Sequence, residues 1–106
     1  MPPHDLLFRV LTPLDFYVYI SVAYWQVITS VKHPVMTGRE TDVQDAIAHP
    51  DEVRISRSDS AVYLFYKLER PGRWTCAIAK RLDEEAFLIT AYPTDAIKEG
   101  TKIWPK

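Results

Sequence analysis

The stretch "AVYLFYKLERPGRWTCAIAKRLDEEAFLITAY", residues 61–92, decides the fold. It contains three apolar runs, "AVYLFYKL", "WTCAIAKR" and "AFLITAY", rich in β-branched and aromatic residues. Such runs favour extended strands. The links between them, "ERPGR" and "LDEE", carry turn-forming residues. Links this short join antiparallel neighbours. Upstream, "EVRISR" is a fourth run, joined through "SDS". The spacing therefore predicts a four-stranded antiparallel meander.

Parity along the meander predicts two faces. With Leu68 opposite Trp74 and Arg81 opposite Ala86, one face carries Leu64, Tyr66, Trp74, Cys76, Ile78, Phe87, Ile89 and Ala91. That face reads as the core, to be covered by helices. The other carries Phe65, Lys67, Thr75, Ala77, Ala79, Arg81, Leu88, Thr90 and Tyr92. There Lys67, Thr75 and Tyr92 are expected to form one cross-strand row. If Val53 faces the core, Arg54 joins the open face beside Phe65.

Working outward, "LLFRVL" and "FYVYIS" read as two short strands broken at Thr12-Pro13. Ser21 is a suitable cap for a helix from about Val22 to Lys32. Tyr24, Trp25, Ile28 and Val31 then fall on one stripe. His33-Pro34 ends it, because a residue before proline avoids the α region. "TDVQDAIAHP" reads as a second helix, with Thr41 and Gln44 at capping-box spacing and Val43, Ala46 and Ile47 inward. The expected fold class is α+β. Residues 1–20 supply two strands, 21–50 a helical pair and 51–106 the sheet, all in a single domain of 106 residues.

Apolar residues make up 47% of the chain, enough for a core without cross-links. The lone cysteine, Cys76, excludes a disulfide framework and a cysteine-rich metal site. No two histidines share a helix face at i, i+4, and Gly38, Gly72 and Gly100 stand alone, so neither a zinc motif nor a glycine-rich phosphate loop is present. No cofactor or metal is expected. The net charge of −1 excludes a general polycation. The cations are nonetheless concentrated: between Arg54 and Arg81 there are seven Lys/Arg and two Asp/Glu. "FYVYISVAYWQVITSV" is 16 residues long and interrupted by polar groups, short of the roughly 20 apolar residues that span a bilayer. No signal peptide is evident. The expected location is cytoplasmic, away from membranes.

Several segments together resemble a known family. They are the helix ending in "KHP", then "VQDAIAHPDEVRIS", "VYLFYK", a strand ending in Lys80, "FLITAYPTD" and the closing "EGTKIWPK". In that order they are similar to small bacterial and phage-type domains of the barnase–EndoU–colicin–RelE (BECR) nuclease superfamily, across roughly residues 21–106. The resemblance implies two helices on one face of an antiparallel RelE-like sheet. It also implies metal-independent, often toxin-type ribonuclease activity on the open face. Carried over, the catalytic set is His33, Lys67 (with Lys80 as the alternative lysine), Thr90 and Tyr92.

The residues suit that chemistry. Metal-free RNA cleavage needs a base for the ribose 2′-OH, an acid for the leaving 5′-oxygen and positive charge for the phosphorane. His33 titrates near neutrality in its unperturbed state. Lys67 and Arg54 offer a point charge and a fork for phosphate, with Lys80 and Arg81 beside them. Tyr92 is suited to proton donation or base stacking, and Thr90 to a hydrogen bond. His49 reads as a helix cap, and His4 has no role. The alternative is a non-catalytic module of the same fold that binds RNA or a partner protein. An antitoxin, or a second copy joined through the N-terminal strands, is the expected kind of protein partner.

Overall fold

The computed structural model describes residues 5–106; His4 lies outside them. Its strands are β1 (Leu6–Leu11), β2 (Tyr17–Ser21), β3 (Glu52–Ile55), β4 (Val62–Arg70), β5 (Arg73–Leu82), β6 (Glu85–Thr94) and β7 (Thr101–Trp104). Between β2 and β3 lie α1 (Val22–Val27), a π-helical turn (Ile28–Lys32), a 3-10 turn (Pro34–Met36) and α2 (Glu40–Ala48). The α+β class holds. The four-stranded meander is part of a larger sheet, ordered β1-β2-β6-β5-β4-β3-β7.

Two long-range pairings enlarge it. β2 runs parallel to the start of β6, from Tyr17 opposite Glu85 to Tyr19 opposite Phe87. β7, in the segment "EGTKIWPK", pairs antiparallel with the outer edge of β3. Both partners are remote in sequence, so hairpin spacing alone could not reveal them. No helix among the described residues is long and apolar enough to cross a membrane.

The helices start from local chemistry. Ser21 Oγ accepts the Tyr24 N–H at 3.1 Å, the expected N-cap. Trp25 and Ile28 are buried in the main core, as their spacing predicts. Val31 is not: it is 76% exposed. The His33 N–H donates to the Ile28 carbonyl, five residues back, and this wider turn rotates Val31 off the buried stripe. α2 starts at Glu40 with Arg39 at its cap and no side-chain capping bond. Thr41 is already inside the helix, so the Thr41–Gln44 capping box does not form. Val43, Ala46 and Ile47 are buried as expected.

The meander register is the expected one. Leu68 opposes Trp74, and Arg81 opposes Ala86. The faces, however, are reversed. Val53, Phe65, Ala77, Ala79, Leu88 and Ala91 pack in one core with Trp25, Ile28, Met36, Val43 and Ile47 from the helical segment. Trp74, Cys76 and Ile78 belong to a second, smaller cluster with Leu64, Tyr66, Tyr92 and Ile97. The alanines explain the choice. Ala77 and Ala79 leave a shallow trough, and helices seat there with large side chains filling it.

β6 also carries an irregularity. Ile78 opposes Thr90 while Ala79 opposes Leu88, leaving Ile89 without a partner on β5. The extra residue flips the pleat. Leu88 and Ala91 both face the helices, whereas Thr90 and Tyr92 face the other way.

That second face is crossed by the connection of residues 95–100, which must pass over β5, β4 and β3 to reach β7. Ile97 packs from it onto Leu64, Tyr66 and Cys76. The strap is tied at Gly100, whose φ is +81°. A Cβ there would stand 2.6 Å from the Ile55 carbonyl oxygen. Gly100→Ala is expected to cost about 1–2 kcal/mol for the left-handed backbone alone, with the clash in addition, as read from a urea melt.

Candidate functional site

The candidate site lies along the C-terminal half of β6, where β2 has stopped pairing. β2 reaches only to Phe87, and the helical segment covers the edge beyond. The Ile89 carbonyl accepts from Tyr24 Oη at 2.9 Å and from Lys32 Nζ at 3.1 Å. Lys32 Nζ also donates to Tyr24 Oη at 2.8 Å. One residue on, the His33 ring meets the Tyr92 ring with centroids 5.2 Å apart, tilted by 44°. Thr90 Oγ1 is buried without a hydrogen-bond partner. An orphaned buried hydroxyl carries a desolvation cost.

Tyr92 opposes Cys76, and Cys76 opposes Tyr66. The thiol lies within hydrogen-bonding reach of both phenols. Burial pushes the Cys76 thiol up to about 12, although the phenols partly offset this. Burial likewise raises the Tyr92 and Tyr66 phenols well above the ordinary tyrosine value, with Cys76 adding to it. All three therefore stay protonated at neutral pH. Folded values raised above the unfolded ones make stability full below about pH 8.5, where unfolded cysteine begins to titrate. Stability should then decline as the pH climbs from there towards about 12. Urea melts across that alkaline range should show the decline, and Cys76→Ala should flatten part of it.

His33, Thr90 and Tyr92 are thus gathered at β6, on or beside the helix-free face. Arg54 shares that face, opposite Leu64 rather than beside Phe65. Its guanidinium is engaged: Nε donates to Glu52 Oε2 at 2.6 Å and Nη1 to the Gly100 carbonyl at 3.2 Å. It clamps the strap.

Lys67 is on the helix side, 4.0 Å from Asp45 Oδ2. The predicted row of Lys67, Thr75 and Tyr92 is broken: Lys67 opposes Thr75, but Thr75 opposes Pro93. The bulge at Ile89 causes this: Ala79 opposes Leu88 but Ile78 opposes Thr90, so the register slips by one residue and Tyr92 falls opposite Cys76 instead of Thr75. Tyr92 and Thr75 differ by one pleat position, so they point to opposite faces.

Lys80 pairs with Asp59 at 3.3 Å near the other end of the sheet. That carboxyl is held below the usual range, first by the Ala61 N–H and then by Lys80. Arg81 lies over the Phe16 ring at 4.4 Å and donates to the Asp83 carbonyl at 2.7 Å. His49 is exposed at the end of α2.

Lys32 was not among the expected site residues. Its signal was its place in "KHP", next to His33; its approach to β6 depends on the π-helical turn. Among the described residues no three His, Cys, Asp or Glu side chains converge as a metal-holding group. Compared with protein-family models, curated proteins and solved structures, the chain finds no match.

Proposed function

We propose that the chain is a metal-independent endoribonuclease-type domain that acts at the His33–Tyr92 end of β6, and that it belongs with the BECR nucleases. The observation that carries this reading is the contact between the His33 and Tyr92 rings, with the unpartnered Thr90 hydroxyl two residues along the same strand.

In this mechanism His33 takes the proton from a ribose 2′-OH. The freed oxygen attacks the adjacent phosphorus, and the 5′-oxygen leaves. Tyr92, kept protonated by its burial, donates its phenol proton to the leaving 5′-oxygen as the P–O5′ bond breaks, and solvent water then restores the phenol and takes the proton from His33. Thr90 donates its hydroxyl to a phosphate oxygen. Lys32, exposed at the same edge, supplies the positive charge assigned from sequence to Lys67. Cleavage should leave 2′,3′-cyclic phosphate ends and should survive a chelator. Incubating the purified chain with RNA in EDTA, and analysing the product ends, tests this. Intact RNA removes the catalytic reading.

A non-catalytic binding module is the second reading. It is favoured by two observations: Arg54 and Lys80 are already paired with carboxylates, and a strap crosses the face. Salt-sensitive RNA binding without cleavage would select it. An antitoxin belongs to the catalytic reading, a partner protein other than an antitoxin belongs equally to the binding reading, and cytoplasmic residence is proposed with both.

A further inference from the structure

On the helix-covered side, beyond the site just described, a cleft of about 460 Å³ opens between α2 and the β4–β5 hairpin. At its centre is the Glu69 carboxylate, whose side chain is 17% exposed. Glu69 Oε1 is paired with Arg39 Nη2 and accepts from Thr75 Oγ1 at 2.8 Å. Its Oε2 accepts from Arg73 Nε at 3.2 Å. Two guanidinium groups and a hydroxyl thus converge on one small anion.

Arg39 and Thr75 do not depend on Glu69 alone for their position, whereas the Arg73 guanidinium is held by Glu69 itself. Arg39 stands at the start of α2, and its Nε is held separately by Asp42 Oδ2 at 2.9 Å. Its Nη2 also reaches Thr75 Oγ1 at 3.3 Å. Arg73 and Thr75 are on β5, whereas Glu69 is on β4 near the hairpin tip. Convergent arginine forks with a hydroxyl are the donor set that recognises phosphate.

The surrounding charge agrees. Four cations line the cleft: Arg39, Lys67, Arg70 and Arg73. Lys67 has only a loose contact with Asp45 at 4.0 Å. The lining carboxylates are Glu69, Asp42 and Asp45. With Glu69 counted as the occupant, four cations face two carboxylates.

We propose that this cleft is a phosphate-binding site that Glu69 fills in the free chain. An incoming phosphate group displaces the carboxylate towards solvent at the hairpin tip and takes over its donors. The inference goes beyond the cleavage reading and does not rest on it. Its residues lie on the other face from Thr90 and Tyr92, and its test involves no cleavage. The phosphate can be a free monoester or a phosphodiester of a strand, and the test separates the two.

The test is calorimetric titration of the wild type, Glu69→Gln, Arg73→Ala and the double variant with inorganic phosphate, at matched ionic strength. It is then repeated with an RNA oligonucleotide lacking terminal phosphates. Glu69→Gln keeps an acceptor for Thr75 and removes the competing charge. It should bind inorganic phosphate about tenfold or more tightly than the wild type, because a like charge beside the ligand is removed. Adding Arg73→Ala should abolish the gain. A gain seen with the oligonucleotide as well assigns the site to a strand; a gain confined to phosphate assigns it to a free monoester. Glu69→Gln binding no tighter, or a gain that survives Arg73→Ala, overturns the proposal. If Glu69→Gln does not fold, the wild type decides. Phosphate should raise its melting temperature more than chloride at equal ionic strength, and equal effects overturn the proposal.

Discussion

Replacing His33 by Ala, or Tyr92 by Phe, should each lower RNA cleavage by about 10²-fold or more, the low end for groups that move a proton in the transition state. The two side chains touch, so their losses should not add: the double variant should be little worse than the poorer single one. Lys67→Ala should lower cleavage much less than His33→Ala or Lys32→Ala, because Lys67 points to the helix side towards Asp45, away from the β6 edge. Lys32→Ala should lower it, because the ammonium lies at the β6 edge, 3.1 Å from the Ile89 carbonyl. Initial rates on a defined RNA check all five variants. Full activity in both His33→Ala and Tyr92→Phe would discard the mechanism. A loss in Lys67→Ala equal to that in Lys32→Ala would show that the cation had been assigned to the wrong side of the sheet.

Phe65→Ala should destabilise the fold by about 3–5 kcal/mol. The side chain is fully buried on the face the helices cover. Its ring lies 6.3 Å from that of Phe16, edge-on. Truncation leaves a cavity between strand and helix that the short alanines opposite it cannot fill. Ile28→Ala, from the helical side of the same core, should cost about 2–5 kcal/mol. Trp74→Ala is the control: Trp74 is larger but only half-buried on the strap-crossed face, so its cost should be smaller than that of Phe65. Urea melts with a common slope would rank the three. Trp74 proving costlier than Phe65 would return the main core to the face that parity first suggested.

Much of the molecule was legible because it rests on neighbours in the chain. Strand runs, turn residues and hairpin lengths set the meander and its register, down to Leu68 opposite Trp74 and Arg81 opposite Ala86. Ser21 announced the start of α1 through the chemistry of one hydroxyl and one N–H. The pairing of Thr90 and Tyr92 on one face needed only the two-residue strand period.

What parity could not decide was which face the helices cover. Both faces of the meander are apolar: Leu64, Tyr66 and Cys76 on one, Phe65, Ala77 and Ala79 on the other. Alternation reports that a residue is apolar, not what lies above it. The choice depended on depth, since the alanine trough admits helices, while the larger side chains of the other face need only the thin cover of Ile97 and its strap. The bulge at Ile89, the approach of Lys32 to β6 and the gathering of Arg39, Arg73 and Thr75 around Glu69 have the same origin. Each joins residues far apart in sequence, so each was settled by how the helices and strands pack rather than by any local preference.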